Sequence, residues 1–359
     1  MKKGRETEMA QGEMMQALRL NGIGDLRYES VPLPKRQSDE VLLWVRACGV
    51  CGSDIPRVFT KGTYHFPTII GHEFAGEVID ADDLSLIGKG AAVFPLIPCR
   101  ECSACSEGQY AQCANYDYYG SRCDGAMSQY IAVKKENLVL IPEGVSYMAA
   151  AMCEPAAVSL HAFRKADVYE NDTVVIFGVG PIGLLFASWV READAKHVVL
   201  VARSEERADF ARKLGFIDVV DSSVTDVEEY VSNLTGGAGA DVCVEGTGSS
   251  DALELCLKCA GNFGRVVTMG NPVGDITLSQ DAYWKILRKE LKLVGTWNSS
   301  FSEKQNDWED VLEAMKDRVI DPEALITHVF GLKDYEKAFQ IMHEKTEPYC
   351  KVMFTMDER

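Results

Sequence analysis

From residue 15 to about 98 the chain alternates short apolar runs with Gly and Pro punctuation. QALRL, EVLLWVRA and GEVID are examples, and the pattern predicts short strands in a β-rich domain. Beyond residue 173 the rhythm changes. TVVIF is an apolar, β-branched run that leads into GVGPIG and then into the helical pattern LLFASWVREADA. Strand HVVLV, helix SEERADFARKLG, strand FIDVV, strand ADVCVEG, helix DALELCLKCA and strand GRVVTMG follow. That alternation predicts a parallel doubly wound sheet. From residue 296 the βα rhythm stops. Amphipathic helices are expected around NDWEDVLEAMKDR and KDYEKAFQIMHE, with a final strand in YCKVMFTM.

The expected organisation is therefore α/β. A disordered extension covers residues 1–14, a β-rich domain 15–158 and 297–359, and a dinucleotide-binding domain 159–296. The tail rejoins the first domain, and the chemistry sits in the cleft between the two. The uncharged run from Thr173 to Val190 is marginal for a membrane span, and Gly178, Gly180, Pro181 and Gly183 interrupt it. It reads better as a buried strand and helix of the sheet.

Gly178, Gly180 and Gly183 form G-x-G-x-x-G between a strand and a helix. The first two glycines permit a tight turn and close approach of a pyrophosphate, and the third lets helix and strand pack. The phosphates then meet free N–H groups and the positive end of the helix dipole. About 20 residues on, a carboxylate normally receives the ribose hydroxyls of NAD. Ala202 stands at that place, followed by Arg203, Ser204 and Arg207. Without the carboxylate a 2′-phosphate is not repelled, and a guanidinium can bind it with two hydrogen bonds. NADP(H) is the expected cofactor. NAD(H), with Glu205 reaching the ribose, is the alternative.

Two clusters carry metal chemistry. Cys99, Cys102, Cys105 and Cys113 lie in CRECSACSEGQYAQC, a spacing that matches a closed tetrahedral structural zinc site. An iron–sulfur cluster is the alternative. The stretch CGVCGSDIPRVFTKGTYHFPTIIGHE offers a thiol at Cys51, a hydroxyl at Ser53, an imidazole at His72 and a carboxylate at Glu73. Thiolate plus imidazole suits Zn²⁺, but two ligands do not close a tetrahedron. Glu154, a carboxylate in an apolar helical stretch, is a candidate third ligand. The bland readings are a buried free thiol, a satisfied core His and a surface Glu.

Composition narrows the partners. The 359 residues carry a net charge of −17, which repels phosphodiester backbones and argues against nucleic acid. The N-terminus is charged and lacks the apolar core of a signal peptide. The 12 cysteines then read as metal ligands and buried thiols in a soluble, cytoplasmic protein, not as disulfides.

CGVCGSD, GHEFAGEV, the four-cysteine loop, CEPAAVSLHA and GVGPIG together resemble the zinc-dependent medium-chain dehydrogenase/reductase family, in particular its polyol dehydrogenase branch. The resemblance covers nearly the whole chain from Met15. It implies a Rossmann domain plus a GroES-like catalytic domain with a structural-zinc loop, and two zinc ions per chain. It implies catalytic zinc ligands at Cys51 and His72, with Glu154 where this branch places a Glu. Glu73 is then a neighbouring or alternating ligand, and Ser53 occupies the proton-relay position. Cys48 falls outside the ligand pattern and is left as structural. Cofactor contacts are implied at Gly178, Gly180, Pro181, Ile182, Gly183, Arg203, Ser204, Arg207, Thr247, Met269, Gly270 and Thr296. The implied reaction moves hydride between a nicotinamide and a secondary alcohol of a polyol or polyol phosphate. Arg57, Lys61, Arg122 and Lys289 are candidate partners for a substrate phosphate. The alternatives are a sorbitol-, xylitol- or threonine-type dehydrogenase, or a dinucleotide-binding sensor or structural protein on the same scaffold. A homodimer or homotetramer is expected.

Overall fold

The computed structural model describes residues 13–356. The expected N-terminal extension lies outside them save for its last two residues, and Met14 already opens the strand Met14–Gly22. That strand forms a hairpin with Asp25–Pro32 and pairs on its other side with Thr68–Ile69.

The sheet that matters most has seven strands. Leu138–Leu140, Gly90–Val93, Glu73–Asp80, Glu40–Val50, Lys351–Thr355 and Ile326–Gly331 lie side by side in that order, and Tyr130–Lys134 also pairs with Glu40–Val50. Glu40–Val50 reads EVLLWVRACGV and is buried along most of its length, which suits an apolar, β-branched run covered on both faces. The final strand, Lys351–Thr355, lies antiparallel to it, with Val352 opposite Val50 and Phe354 opposite Cys48. The chain's tail thus re-enters the sheet begun some 300 residues earlier.

The second sheet is parallel. Its strands run Val219–Asp221, His197–Ala202, Thr173–Phe177, Ala240–Glu245, Ala260–Thr268 and Lys292–Gly295. The order reverses beside Thr173–Phe177, which opens a crevice at the carboxyl ends of the strands. Pro181–Glu192 begins there, its first turn set by a proline whose missing N–H costs nothing at that position. Two helices escaped the sequence reading, Val227–Leu234 and Gln280–Arg288. The first carries Val227, Tyr230, Val231 and Leu234 at helical spacing, and Asp226 caps it by accepting from Glu229 N–H. The second buries Ala282 and leaves Tyr283, Trp284 and Leu287 exposed, so no inward apolar stripe announced it.

One apolar core joins the two sheets. It runs from Phe94 and Leu96 through Met152, Ala156 and Leu160 to Ile176, Leu185 and Phe186. The helix Cys153–Ala166 is its spine. Helix Asp307–Lys316 is pinned against that spine by buried Asp307, which accepts from Ser300 N–H at 2.6 Å and Gln305 at 2.9 Å and meets His161 and Arg164. Among the described residues, no helix is long and apolar enough to cross a membrane.

The pairing of Glu40–Val50 with Glu73–Asp80 requires Gly76, because a Cβ there would overlap the Trp44 carbonyl oxygen. Gly76→Ala is expected to destabilise the protein by about 1–3 kcal/mol through forced backbone displacement. The shift of the urea unfolding midpoint measures it.

Candidate functional site

Strand Glu40–Val50 ends by delivering Cys51, and the chain then turns into the short helical segments Asp54–Pro56 and Arg57–Lys61. Strand Glu73–Asp80 begins beside it and carries His72 and Glu73 at its mouth. One ligand atom from each of Cys51, His72 and Glu73 lies within 4.8 Å of the others. His72 and Glu73 are buried, and Cys51 is half-buried.

Asp54, fully buried, organises the group. One of its oxygens accepts from Cys51 N–H at 2.9 Å. The other meets Arg57 at 2.8 Å and stands 3.6 Å from His72 Nδ1. A carboxylate against the imidazole fixes ring orientation, as beside many metal-bound histidines. The same Arg57 nitrogen donates to Ser53 Oγ at 2.9 Å. The two oxygens of Glu73 accept from the Lys351 ammonium at 2.8 and 2.6 Å, and Lys351 also donates to the Val50 carbonyl. Gly49 leaves the room, since a Cβ there would overlap the Glu73 carboxylate.

Glu154 stands apart from the three-residue set. It opens the helix Cys153–Ala166 and accepts from the Tyr118 hydroxyl at 3.3 Å, while the Tyr118 ring packs edge-on against His72 at 5.6 Å. The expected set is Cys51, His72, Glu73 and Glu154, with Glu73 a neighbouring or alternating ligand. Cys51, His72 and Glu73 form the tight group, and Glu154 is not part of it.

Burial disfavours the charged forms of Cys51 and Glu154 in this pocket. Burial, with the charges of Glu73 and Asp54 nearby, pushes the Cys51 thiol up to about 12. Burial also raises Glu154 to about 7; His72 opposes this shift and Glu73 adds to it. Burial works against the Lys351 ammonium, yet the Glu73 charge holds it well above its ordinary range. A divalent cation reverses this logic for thiol and carboxylate alike. Thiol, imidazole and carboxylate are also the donors Zn²⁺ prefers, so the residues fit that metal.

The cysteine loop is compact. Ligand atoms of Cys99, Cys102, Cys105 and Cys113 lie within 4.8 Å of one another. The Sγ atoms of Cys99 and Cys113 are 3.4 Å apart. Backbone N–H groups of Ala114 and Cys105 pull the Cys102 thiol down to about 6, which favours the thiolate a metal needs. Four sulfurs leave no coordination position for substrate, so this loop can hold a structural ion and not a reacting one.

A cleft of about 670 Å³ opens at the glycine turn. Of the expected cofactor residues, Gly178, Gly180, Arg203, Ser204, Arg207 and Thr247 line it. Gly178 has φ +113°, a conformation other residues rarely adopt. Gly183 sits behind the turn, where a Cβ would overlap the Gly178 carbonyl oxygen, so it serves helix packing. Pro181, Ile182, Met269, Gly270 and Thr296 are not among the lining residues. Gly270 packs flat behind the Thr247–Gly248 loop, whose N–H groups are held by buried Glu245 at 2.6 and 2.8 Å. The opposite wall comes from the other sheet's side of the chain, with Lys345, Tyr349 and Cys350.

The four cations proposed for a substrate phosphate separate clearly. Arg57 is in the site but is committed to Asp54 and Ser53. Lys61 is exposed at the end of its turn. Arg122 lies between the rings of Tyr64 and Tyr116. Lys289 is a correction: its ammonium donates to the carbonyls of Leu257, Lys258 and Ala260, closing the end of helix Ser250–Cys259, so its charge is spent there.

Asp54, Tyr118, Lys345 and Lys351 were missed. Asp54 was visible inside CGSD, and Lys351 as a lone charge in an apolar final strand. Nothing local marked Tyr118 or Lys345.

The family described as "Zinc-binding dehydrogenase" matches residues 181–317, and "Alcohol dehydrogenase GroES-like domain" matches residues 37–143. Galactitol 1-phosphate 5-dehydrogenase of Escherichia coli (strain K12) is 34% identical over 326 residues, covering 89% of this chain and 94% of that protein. The crystal structure of galactitol-1-phosphate dehydrogenase from Escherichia coli matches with a TM-score of 0.89 and 32% identity, over 95% of this chain and 100% of that one. A zinc-binding dehydrogenase from Sinorhizobium meliloti 1021, solved with NADP bound, matches with a TM-score of 0.86 and 26% identity, over 96% and 100%.

Glu73 and Lys351 are both almost fully buried, so removing one strands the other. In the metal-free protein, Lys351→Met is expected to cost about 3–5 kcal/mol, and adding Glu73→Gln is expected to recover most of it. Chemical denaturation of the two variants checks both values.

Proposed function

Because this chain belongs to the zinc-dependent medium-chain dehydrogenases, in their polyol dehydrogenase branch, we propose that it oxidises galactitol 1-phosphate to tagatose 6-phosphate and prefers NADP⁺. The observation that carries the reading is the adjacency of the two sites. Cys350 lines the dinucleotide cleft, and the next residue, Lys351, grips Glu73 of the metal group.

Cys51, His72 and Glu73 would hold the catalytic zinc in this reading, with Glu154 as the alternating carboxylate. Cys99, Cys102, Cys105 and Cys113 hold a second, structural zinc. When bound, the zinc supplies Lewis acidity that lowers the pKa of the substrate alcohol, and the nicotinamide accepts the hydride. The chain's own residues do the rest. Asp54 holds the Cys51 backbone and faces the His72 ring, so two ligands are set before any metal arrives. Ser53 accepts from Arg57, which leaves its own O–H free to pass a proton outward. Tyr118 holds Glu154 through its hydroxyl and packs its ring against His72.

The cofactor preference rests on the second strand of the parallel sheet, which ends at Ala202 where a carboxylate would receive the ribose of NAD, although Glu206 and Glu347 also border the cleft. Arg203 and Arg207 border the cleft on one wall, and Lys345 on the other. Resemblance to galactitol 1-phosphate 5-dehydrogenase over most of both chains supports the substrate.

Two outcomes test the proposal. Cys51→Ala is expected to abolish turnover while dinucleotide binding, followed by nicotinamide fluorescence, persists. Substantial activity in that variant removes the catalytic zinc. Steady-state oxidation of galactitol 1-phosphate and of sorbitol, each with NAD⁺ and NADP⁺, is expected to favour galactitol 1-phosphate with NADP⁺. Arg203→Ala should then raise the KM for NADP⁺ about tenfold and leave that for NAD⁺ nearly unchanged.

A further inference from the structure

We propose that Arg122 selects the phosphorylated substrate, its guanidinium gripping the phosphate monoester while the reacting carbinol lies at the Cys51–His72–Glu73 group. The inference rests on the polyol phosphate reading above and assigns it to one residue.

The guanidinium carbon of Arg122 stands 4.1 Å from the centre of the Tyr64 ring and 4.4 Å from that of Tyr116. One of its nitrogens donates to the Tyr64 hydroxyl at 3.2 Å. Two ring faces and a hydroxyl thus fix the plane of the cation. A guanidinium has five N–H donors in a rigid fork, and stacking leaves its edge free. Among the described residues, no carboxylate lies within ion-pair distance of Arg122, and its side chain makes no other hydrogen bond. The result is an oriented, half-buried and unneutralised positive charge.

Its position follows from the rings. Tyr116 packs edge-on against Tyr118 at 6.5 Å, and Tyr118 against His72 at 5.6 Å. An aromatic wall therefore runs from Arg122 to the metal group. The segments carrying the cation are tied together: Tyr64 N–H donates to the Ser121 carbonyl, and the His65 ring meets the Arg122 carbonyl at 3.1 Å. A phosphate monoester carries about −1.5 to −2 charges at neutral pH and offers oxygens that accept two parallel N–H bonds. The competing cations lack this freedom. Asp54 neutralises Arg57, helix carbonyls occupy Lys289, and nothing orients exposed Lys61.

The test is steady-state kinetics of the zinc-loaded enzyme on galactitol 1-phosphate and on galactitol, for wild type, Arg122→Met and Arg122→Lys. Methionine keeps an apolar filling between the rings, and lysine restores a charge without the fork. Arg122→Met is expected to lower kcat/KM for galactitol 1-phosphate about tenfold to a hundredfold, mostly through KM, with galactitol changed less than threefold. Arg122→Lys should recover part of the loss. An equal fall on both substrates shows a merely structural role and overturns the proposal, as does no fall on either. Inorganic phosphate as an inhibitor of galactitol oxidation gives a separate reading. It should inhibit the wild type and inhibit Arg122→Met far less; equal inhibition of the two overturns the assignment. If the wild type does not favour galactitol 1-phosphate over galactitol, the substrate reading falls, and the inhibition arm alone decides whether Arg122 binds phosphate.

Discussion

The ion pair between Glu73 and Lys351 is the constraint on which the site depends. A carboxylate and an ammonium are taken almost wholly out of water, at 2.6 Å from each other. Desolvation makes such a pair costly unless its geometry is tight and its remaining bonding capacity is met. Both conditions hold, since both Glu73 oxygens are engaged and the ammonium also reaches the Val50 carbonyl. The pair exists only because the last strand lies beside Glu40–Val50, which itself lies beside Glu73–Asp80. Three adjacent strands thus bring a thiol, an imidazole, a carboxylate and its counter-charge to one place.

The cleft follows from the same arrangement. The chain leaving the final helix passes Lys345 and Tyr349 along the dinucleotide cleft before it enters the sheet at Lys351. One short segment therefore borders both the cofactor's place and the metal group. The shared core around Phe94, Met152 and Phe186 holds the two sheets in that relation.

What the sequence disclosed was local. The glycine turn, the four-cysteine loop and the pairing of Cys51 with His72 depend on short spacings or on residue types that few environments tolerate. Lys289 was misread for the opposite reason: a charge in a sequence gives no sign of its partner, and here the partners are helix carbonyls. Asp54 and Lys351 were legible only in part, because their roles come from groups brought near by folding; for Lys351 the separation is 278 residues. Tyr118 and Lys345 left no local trace at all. That Lys351 meets Glu73 was equally hidden, because only folding brings the two together. Helix Val227–Leu234 carries apolar spacing and a cap, but over only 8 residues.

The long separation along the chain between Glu73 and Lys351 also has a temporal meaning. Ribosomal synthesis releases Cys51, His72 and Glu73 early, with the counter-charge still to be made. Until Lys351 emerges, Glu73 has to stay hydrated, and the first sheet lacks the strand that would seal it. A nascent polypeptide halted before that residue would carry Cys51, His72 and Glu73 but lack both the strand that pairs with Glu40–Val50 and the ammonium that meets Glu73.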